Sequence, residues 1–358
     1  MAISNVRIRE SETWKEILSQ GQIWQSVLRE IDQSANLEKI LAARTKPKEW
    51  LFVGCGSSYY LAQAAANSWT LLTGLRARAL PASEVLLFPQ LLQPQEENTK
   101  AVLISRSGKT SETVRAAKAL SGDLGMATVG LTCAASSELE QFCDASVVLQ
   151  SADEKSMVMT RSFTSMLLGL QLLAARQAGN SQFVRDLQRM AEHFASRIPT
   201  IAEAIEAFVE EHSCGDYVFL GQGPFHGIAM EAALKVMEMS CSYSQFFHAL
   251  EFRHGPKAIV SQETCLMFLL SQTGGEAEKE VLAEMKKLGG MTIAVCNQAD
   301  DSVRSARDLV VEVGFDGNEL ALLAPYAVAG QLLGFFTGVQ KGLDADRPKN
   351  LTRVVMID

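Results

Sequence analysis

The sequence lacks any excess of positive charge: 33 basic residues stand against 41 acidic ones, a net charge of -8. A general nucleic-acid binder carries a basic face, so no nucleic-acid partner is expected. An anionic small molecule stays open, because a few oriented N–H groups bind phosphate inside an acidic protein. No Cys-x-x-Cys pair exists among the seven cysteines, Cys55, Cys133, Cys143, Cys214, Cys241, Cys265 and Cys296. The odd count and the apolar runs around several of them point to reduced core thiols in a cytoplasmic chain. Neither they nor His193, His212, His226 and His248 show zinc-ligand spacing, so no metal is expected. Gly-x-x-x-x-Gly-Lys-Ser/Thr and Gly-x-Gly-x-x-Gly are both missing, which removes the motifs for ATP hydrolysis and dinucleotide binding, and no cofactor is expected. The opening MAISNVRIRE has no apolar core of a signal peptide. No apolar run approaches the roughly 20 residues of a membrane span, so no membrane partner is expected either.

What is present is globular: 358 residues, 47% hydrophobic and 21% charged. That length suits two domains of roughly 150 residues each. Residues 10–45 read as two helices, with Trp14, Ile17 and Leu18, then Ile23, Val27, Leu28 and Ile31, at helical spacing. Strand-like runs follow at Trp50–Val53, Ala101–Ile104, Ala127–Thr132 and Ala145–Leu149, with helical patterns between them. A second series runs through Tyr217–Leu220, Leu266–Leu270, Met291–Asn297 and Leu309–Val313. Alternation of this kind means βαβ units and a mainly parallel sheet with helices on both faces. Gly54-Cys55-Gly56 and Gly221-Gln222-Gly223 are 167 residues apart, and Ser105-x-Ser-Gly and Ser271-x-Thr-Gly are 166 apart. The near-constant offset indicates a duplicated α/β domain. The expected organisation is a helical segment at 1–45, a first domain at 46–182, a linking helix at 183–212, a second domain at 213–345, and a tail at 346–358.

Three constellations could carry chemistry. Ser105-Arg106-Ser107-Gly108-Lys109-Thr110 follows a buried strand and opens a helix. Hydroxyls and N–H groups there suit a phosphate dianion, and Gly108 lets backbone come close; plain helix capping is the alternative. Gly54 to Ser58 is a weaker version of the same turn. The helix around Ile228–Ser240 is apolar except for Glu231, Lys235 and Glu238, which fall on one stripe. Charges on a buried helix are expensive unless they line a cleft, where Glu238 could act as a general base and Lys235 could polarise a substrate oxygen. The alternative is an exposed, ion-paired face. Last, Gly255-Pro256 marks a turn that places His254 on a loop, where an imidazole can titrate near neutral pH or be merely exposed.

Together these segments resemble the double-SIS sugar isomerase family, in particular the isomerase half of glucosamine-6-phosphate synthase and the amino-sugar-phosphate deaminase/isomerases. The family has Cys-Gly-Thr-Ser-Tyr where this chain has Cys55 to Tyr59, and Ser-Gln-Ser-Gly-Glu-Thr at Ser105 to Thr110. It has Glu-Gly-Ala-Leu-Lys-Leu-Lys-Glu at Glu231 to Glu238, Glu-Leu-Lys-His-Gly-Pro at Glu251 to Pro256, and Pro-Arg-Asn-Leu-Ala-Lys at Pro348 to Arg353. The resemblance implies two tandem SIS domains, each a doubly wound, mainly parallel sheet flanked by helices. It implies a site at the carboxyl ends of the strands near the domain boundary, closed by the tail. Gly56, Ser57, Ser58, Ser105, Arg106, Ser107 and Thr110 would hold a sugar phosphate. Glu238 would move a proton between C1 and C2, with Lys235 and Arg353 as further catalytic candidates. His254 would open the sugar ring and reach in from a neighbouring subunit, hence a homodimer.

Three departures shape the expected activity. No glutaminase segment precedes the first domain, so synthesis from glutamine is not expected. Arg353 stands where the synthase has an imine-forming lysine, and a guanidinium is a poor imine former. Ser156 to Thr164 follows the Met-Thr-x-Ser form of the deaminase/isomerase branch. The expected activity is isomerisation and deamination of a hexosamine 6-phosphate to a ketose phosphate such as fructose 6-phosphate. Two alternatives stand beside it. One is a deglycase of sugar-phosphate–amino-acid conjugates, with Arg353 or Arg161 on the carboxylate. The other is a non-catalytic sugar-phosphate sensor.

Overall fold

The computed structural model describes residues 10–41, 47–92 and 98–357. The opening MAISNVRIR and the last residues of the expected helical segment lie outside the described residues. In chain order the elements used below are α1 (Glu12–Leu18), α2 (Gln20–Asp32), β1 (Glu49–Gly54), α3 (Ser57–Thr73), β2 (Arg76–Pro81), β3 (Thr99–Ile104), α4 (Ser111–Lys118), β4 (Ala127–Thr132) and β5 (Ala145–Val148). They continue with α5 (Arg161–Ala178), α6 (Ser181–Ala195), α7 (Ile198–Glu211), β6 (Asp216–Gly221), α8 (Pro224–Ser240), β7 (Tyr243–His248), β8 (Thr264–Leu269), α9 (Gly275–Lys287), β9 (Met291–Cys296), β10 (Leu309–Glu312) and α10 (Leu323–Gln340).

Two parallel five-stranded sheets result, ordered β2-β1-β3-β4-β5 and β10-β9-β8-β6-β7. Read from β7, the second sheet has the same order as the first, so the duplication inferred from spacing is a duplication of topology. Central strands β1, β3 and β8 are buried along their whole length, as expected of strands covered on both faces. The Gly-x-Gly turn after the first strand is also the same in both halves. Gly56 has φ 53° and ψ -126°, and Gly223 has φ 54° and ψ -129°. A side chain is strained in that region, which is why glycine stands at both.

The chain divides into two compact units. One comprises residues 22–154, 161–188 and 352–358, and holds the first sheet; the other comprises residues 1–21, 155–160 and 189–351, and holds the second. The expected linking helix at 183–212 is instead two helices, α6 and α7, with a break at Ser196-Arg197. Pro199 sits in the first turn of α7, where a missing N–H costs nothing.

In the unit with the first sheet, Leu51, Val53, Ala101, Leu103, Val114 and Leu120 form one apolar cluster on one side of the sheet. In the other, Val218, Leu220, Leu266, Phe268, Val281 and Met285 form its equivalent. One expectation needs correcting. Glu319–Gln340 is long and apolar enough to cross a membrane by length and composition, although the sequence reading expects no such run. Residues 320–338 of it are all buried, because α10 is the core helix of its unit. The cysteines are all free thiols; Cys133, Cys265 and Cys296 are buried as expected, but Cys241 is exposed at the left-handed residue that ends α8.

Candidate functional site

The unit with the first sheet carries a turn of hydroxyls and N–H donors after β3. β3 delivers Ser105 into the interior at 2% exposure, and Gly108 turns the chain with φ 61°. A Cβ on Gly108 would lie 2.4 Å from the Ser137 side chain, so a second reason for glycine is close approach. Ser105 Oγ lies 3.2 Å from Thr110 Oγ1 and accepts the Gly108 N–H at 3.1 Å. Ser107 Oγ accepts the Lys109 N–H at 3.2 Å. Among the described residues, the N–H groups of Ser107 and Thr110 have no acceptor. Hydroxyls and N–H donors gathered ahead of α4 suit an oxyanion. Ser57 and Ser58 begin α3 beside the Gly54–Gly56 turn, both buried. A Cβ on Gly54 would lie 2.6 Å from the Ser58 backbone, so glycine permits the strand to enter the helix this tightly.

The charged neighbours divide. Lys109 is exposed. Arg106, expected among the phosphate ligands, is buried and pairs with Glu154 at 3.1 Å. Its Nη2 also donates to the Arg353 carbonyl at 3.2 Å. Glu154 in turn accepts the Ser162 N–H at 3.1 Å and the Ser162 hydroxyl. Arg106 is therefore a strut that fixes the back of the turn. The tail lies across the start of α4: Val355 O accepts the Ser111 N–H at 3.3 Å, Ile357 N–H donates to Ser111 Oγ at 3.0 Å, and Arg115 donates to Ile357 O at 2.8 Å. Arg353 is half-exposed and its guanidinium is held by Asp153 at 2.9 Å and by the Glu154 carbonyl. Sequence reading placed Arg353 at the site but not its partner Asp153. Arg161 donates to the Asp153 carbonyl as well.

The unit with the second sheet carries an ion triad on α8. Lys235 Nζ lies 3.2 Å from Glu231 Oε1 and donates to Glu238 Oε2. Lys235 is 0% exposed and Glu231 1%, whereas the Glu238 side chain keeps 17%. The stripe is thus neither an exposed ion-paired face nor wholly sealed: only Glu238 reaches solvent. Lys235 does not reach the surface, so it holds Glu238 instead of polarising a substrate oxygen. Burial works against the Lys235 ammonium, yet the two carboxylates prevail and its pKa is raised. Helix α10 makes this burial possible. A Cβ on Gly330 would lie 2.4 Å from Ala232 Cβ, on Gly334 2.8 Å from Lys235 O, and on Gly338 2.3 Å from Met239 O. Three glycines at four-residue spacing let α10 lie against the α8 backbone.

His254 lies in the same unit, exposed on the loop that follows a short 3-10 turn at Glu251–Arg253. Phe252, wholly buried, anchors that loop, and Arg253 and Lys257 each reach Glu284 at 2.7 Å. Sequence reading passed over a histidine pair. The rings of His226 and His248 stack with centroids 3.7 Å apart at the carboxyl end of β7. Burial and the neighbouring His248 lower the His226 pKa to about 4. His226 lies in the first turn of α8, just after β6, and His248 ends β7 beside β6, so recognising β7 would have brought the two together. Among the described residues, no group of three or more potential metal ligands gathers.

Comparisons with known proteins agree with this architecture. The SIS domain profile matches residues 45–176 and 212–333. The glutamine–fructose-6-phosphate aminotransferase (isomerizing) of Pyrobaculum aerophilum is 28% identical over 338 residues, covering 91% of this chain and 54% of that protein. The chain thus spans about half the length of the curated relatives it matches. A glucosamine-6-phosphate deaminase structure from Thermotoga maritima is 31% identical, with TM-score 0.80, covering 97% of this chain and 100% of that one. The tagatose-6-phosphate ketose/aldose isomerase of Escherichia coli shares the fold, with TM-score 0.85 at 21% identity, over 100% of this chain and 98% of that one. With two matched segments in one chain and the same strand order in both, this protein belongs to the SIS domain family.

Proposed function

We propose that the chain is a phosphosugar isomerase that deaminates a hexosamine 6-phosphate. The observation that carries this reading is the buried Glu231–Lys235–Glu238 triad with only Glu238 open to solvent. A carboxylate held by a sealed ammonium is a fixed base, and proton transfer next to a carbonyl or imine needs no more than that. The likeness to a deaminase of glucosamine 6-phosphate, at 31% identity, favours this substrate class.

The proposed sequence uses this chain's own groups. The turn at Ser105, Ser107 and Thr110, with Gly56, Ser57 and Ser58, holds the phosphate and sugar hydroxyls. His254 moves a proton as the ring opens to the aldehyde; its exposed loop suits service to a neighbouring copy in a homodimer. Glu238 takes the C2 proton, and a proton is returned to C1. The product carries an imine at C2. Water adds to it, the amine leaves as ammonia, and a ketose phosphate remains. Arg353 stays with Asp153 and orders the tail beside the phosphate turn. The test is ammonia release from glucosamine 6-phosphate and galactosamine 6-phosphate. Release by the wild type and its loss in Glu238→Gln supports the reading. Full turnover in Glu238→Gln, or binding of both sugars without ammonia, overturns it.

A further inference from the structure

The second sheet carries its own copy of the phosphate turn. Ser271-Gln272-Thr273-Gly274 follows β8 as Ser105-Arg106-Ser107-Gly108 follows β3. The two are equivalent bond for bond at their base: Gly274 N–H donates to Ser271 Oγ at 2.7 Å, as Gly108 N–H does to Ser105 Oγ at 3.1 Å. Beyond that base they part. Glu319 Oε2 accepts the Gln272 N–H at 2.8 Å and the Thr273 N–H at 3.2 Å, and its other oxygen takes the Thr273 hydroxyl. Glu278 Oε2 accepts both the N–H of Ser271 at 2.7 Å and its hydroxyl at 3.1 Å. The N–H of Ser107, counterpart of Thr273, has no acceptor among the described residues.

We infer that the chain's own carboxylates, Glu278 and Glu319, occupy the second phosphate turn, so that each chain takes one sugar phosphate, at the first turn. This rests on the reading of Ser105–Thr110 as the phosphate site. Two carboxylates there do what a bound phosphate would do: they accept N–H and O–H donors gathered ahead of a helix. Gly274 is part of the device, since a Cβ on it would lie 2.3 Å from Glu278 Cδ and would drive that carboxylate out. Glu278 is 1% exposed, so it is built into the turn and not a passing contact. A phosphate dianion arriving there would meet two negative groups already holding the donors it needs. Duplication supplied two turns, and the second became an internal tie between β8, α9 and the segment ahead of α10.

The experiment counts inorganic phosphate bound per chain by equilibrium dialysis at pH 8. It compares the wild type, S105A/T110V, E278Q/E319A and all four changes together. The inference expects one phosphate on the wild type, none on S105A/T110V, two on E278Q/E319A, and one when all four are combined. Two phosphates on the wild type overturn it, as does no gain in an E278Q/E319A protein that melts cooperatively. If E278Q/E319A fails to fold, E319A alone, a change at a half-buried residue, must show the second site at weaker affinity. Absence of that gain overturns the inference too. A wild type that binds none, with one gained in E278Q/E319A, removes the first-turn reading and leaves the carboxylate closure standing.

Discussion

Lys235, which has no access to solvent, donates a hydrogen bond to Glu238, which has some, one turn further along the same helix. The ammonium fixes the carboxylate from one side and leaves part of it open to solvent. Glu238→Gln is expected to lower ammonia release by two to four orders of magnitude, the usual weight of a general base. Phosphate binding should stay within a few-fold. Steady-state kinetics beside dialysis check both.

Removing the ammonium is a different injury. Lys235→Met leaves Glu231 buried without its cation, and breaking such a group costs about 3–5 kcal/mol. Replacing Glu231 and Lys235 together by Met should recover most of that loss. Thermal melts of the single and double variants test it; equal melting temperatures would show that the triad holds no buried charge.

Gly334→Ala should act on the triad through the α8 backbone, with none of its side chains replaced. The added Cβ would sit 2.8 Å from Lys235 O, and overpacking of this kind costs about 1–3 kcal/mol. The expected result is a lower melting temperature and a lower kcat with KM little changed. Loss of stability with full kcat would mean that α10 does not set the position of Glu238.

Arg106 and Arg353 should separate cleanly. Arg106 and Glu154 form a buried pair, so Arg106→Met should cost about 3–5 kcal/mol by stranding the carboxylate. Arg353 and Asp153 are both half-exposed, and a pair of that kind contributes about 0–1 kcal/mol. Urea unfolding of the two variants gives the comparison, and equal costs would refute it.

Burial pushes the Glu278 carboxyl up to about 7, against the two Ser271 hydrogen bonds that lower it. A folded pKa above the unfolded one means that the folded state binds the proton more tightly. Stability should therefore fall as pH rises between about 4.5 and 7, by on the order of 3 kcal/mol. His226 runs the other way: its folded pKa is depressed, so its contribution is lost as pH falls from about 6.5 toward 4. Glu278→Gln should abolish the first slope and leave the second, as measured by urea unfolding across that range.

The duplicated α/β fold was legible because the central strands are apolar and the turns after them repeat at a fixed offset. The two strands missed, β2 and β7, are the same strand in each half, and both are edges. RARALP and YSQFFH hide their role because an edge strand can carry charge and even end in proline. The Glu231–Lys235–Glu238 stripe was visible as helical periodicity. Which of the three meets solvent was not, because that depends on α10, about a hundred residues later in the chain. The tie from Glu319 to Thr273 was invisible for the same reason: nothing local to either residue announces the other.

The glycines of α10 have a consequence for how this protein can vary. At positions 330, 334 and 338 the neighbouring helix leaves no room for even a methyl group. The carboxylate proposed as the base, Glu238, is thus registered from a helix that carries no charged side chain of its own. A screen for altered turnover that watched only charged and hydroxyl-bearing side chains would overlook the three places where the smallest possible insertion of volume presses on the helix that carries Glu238.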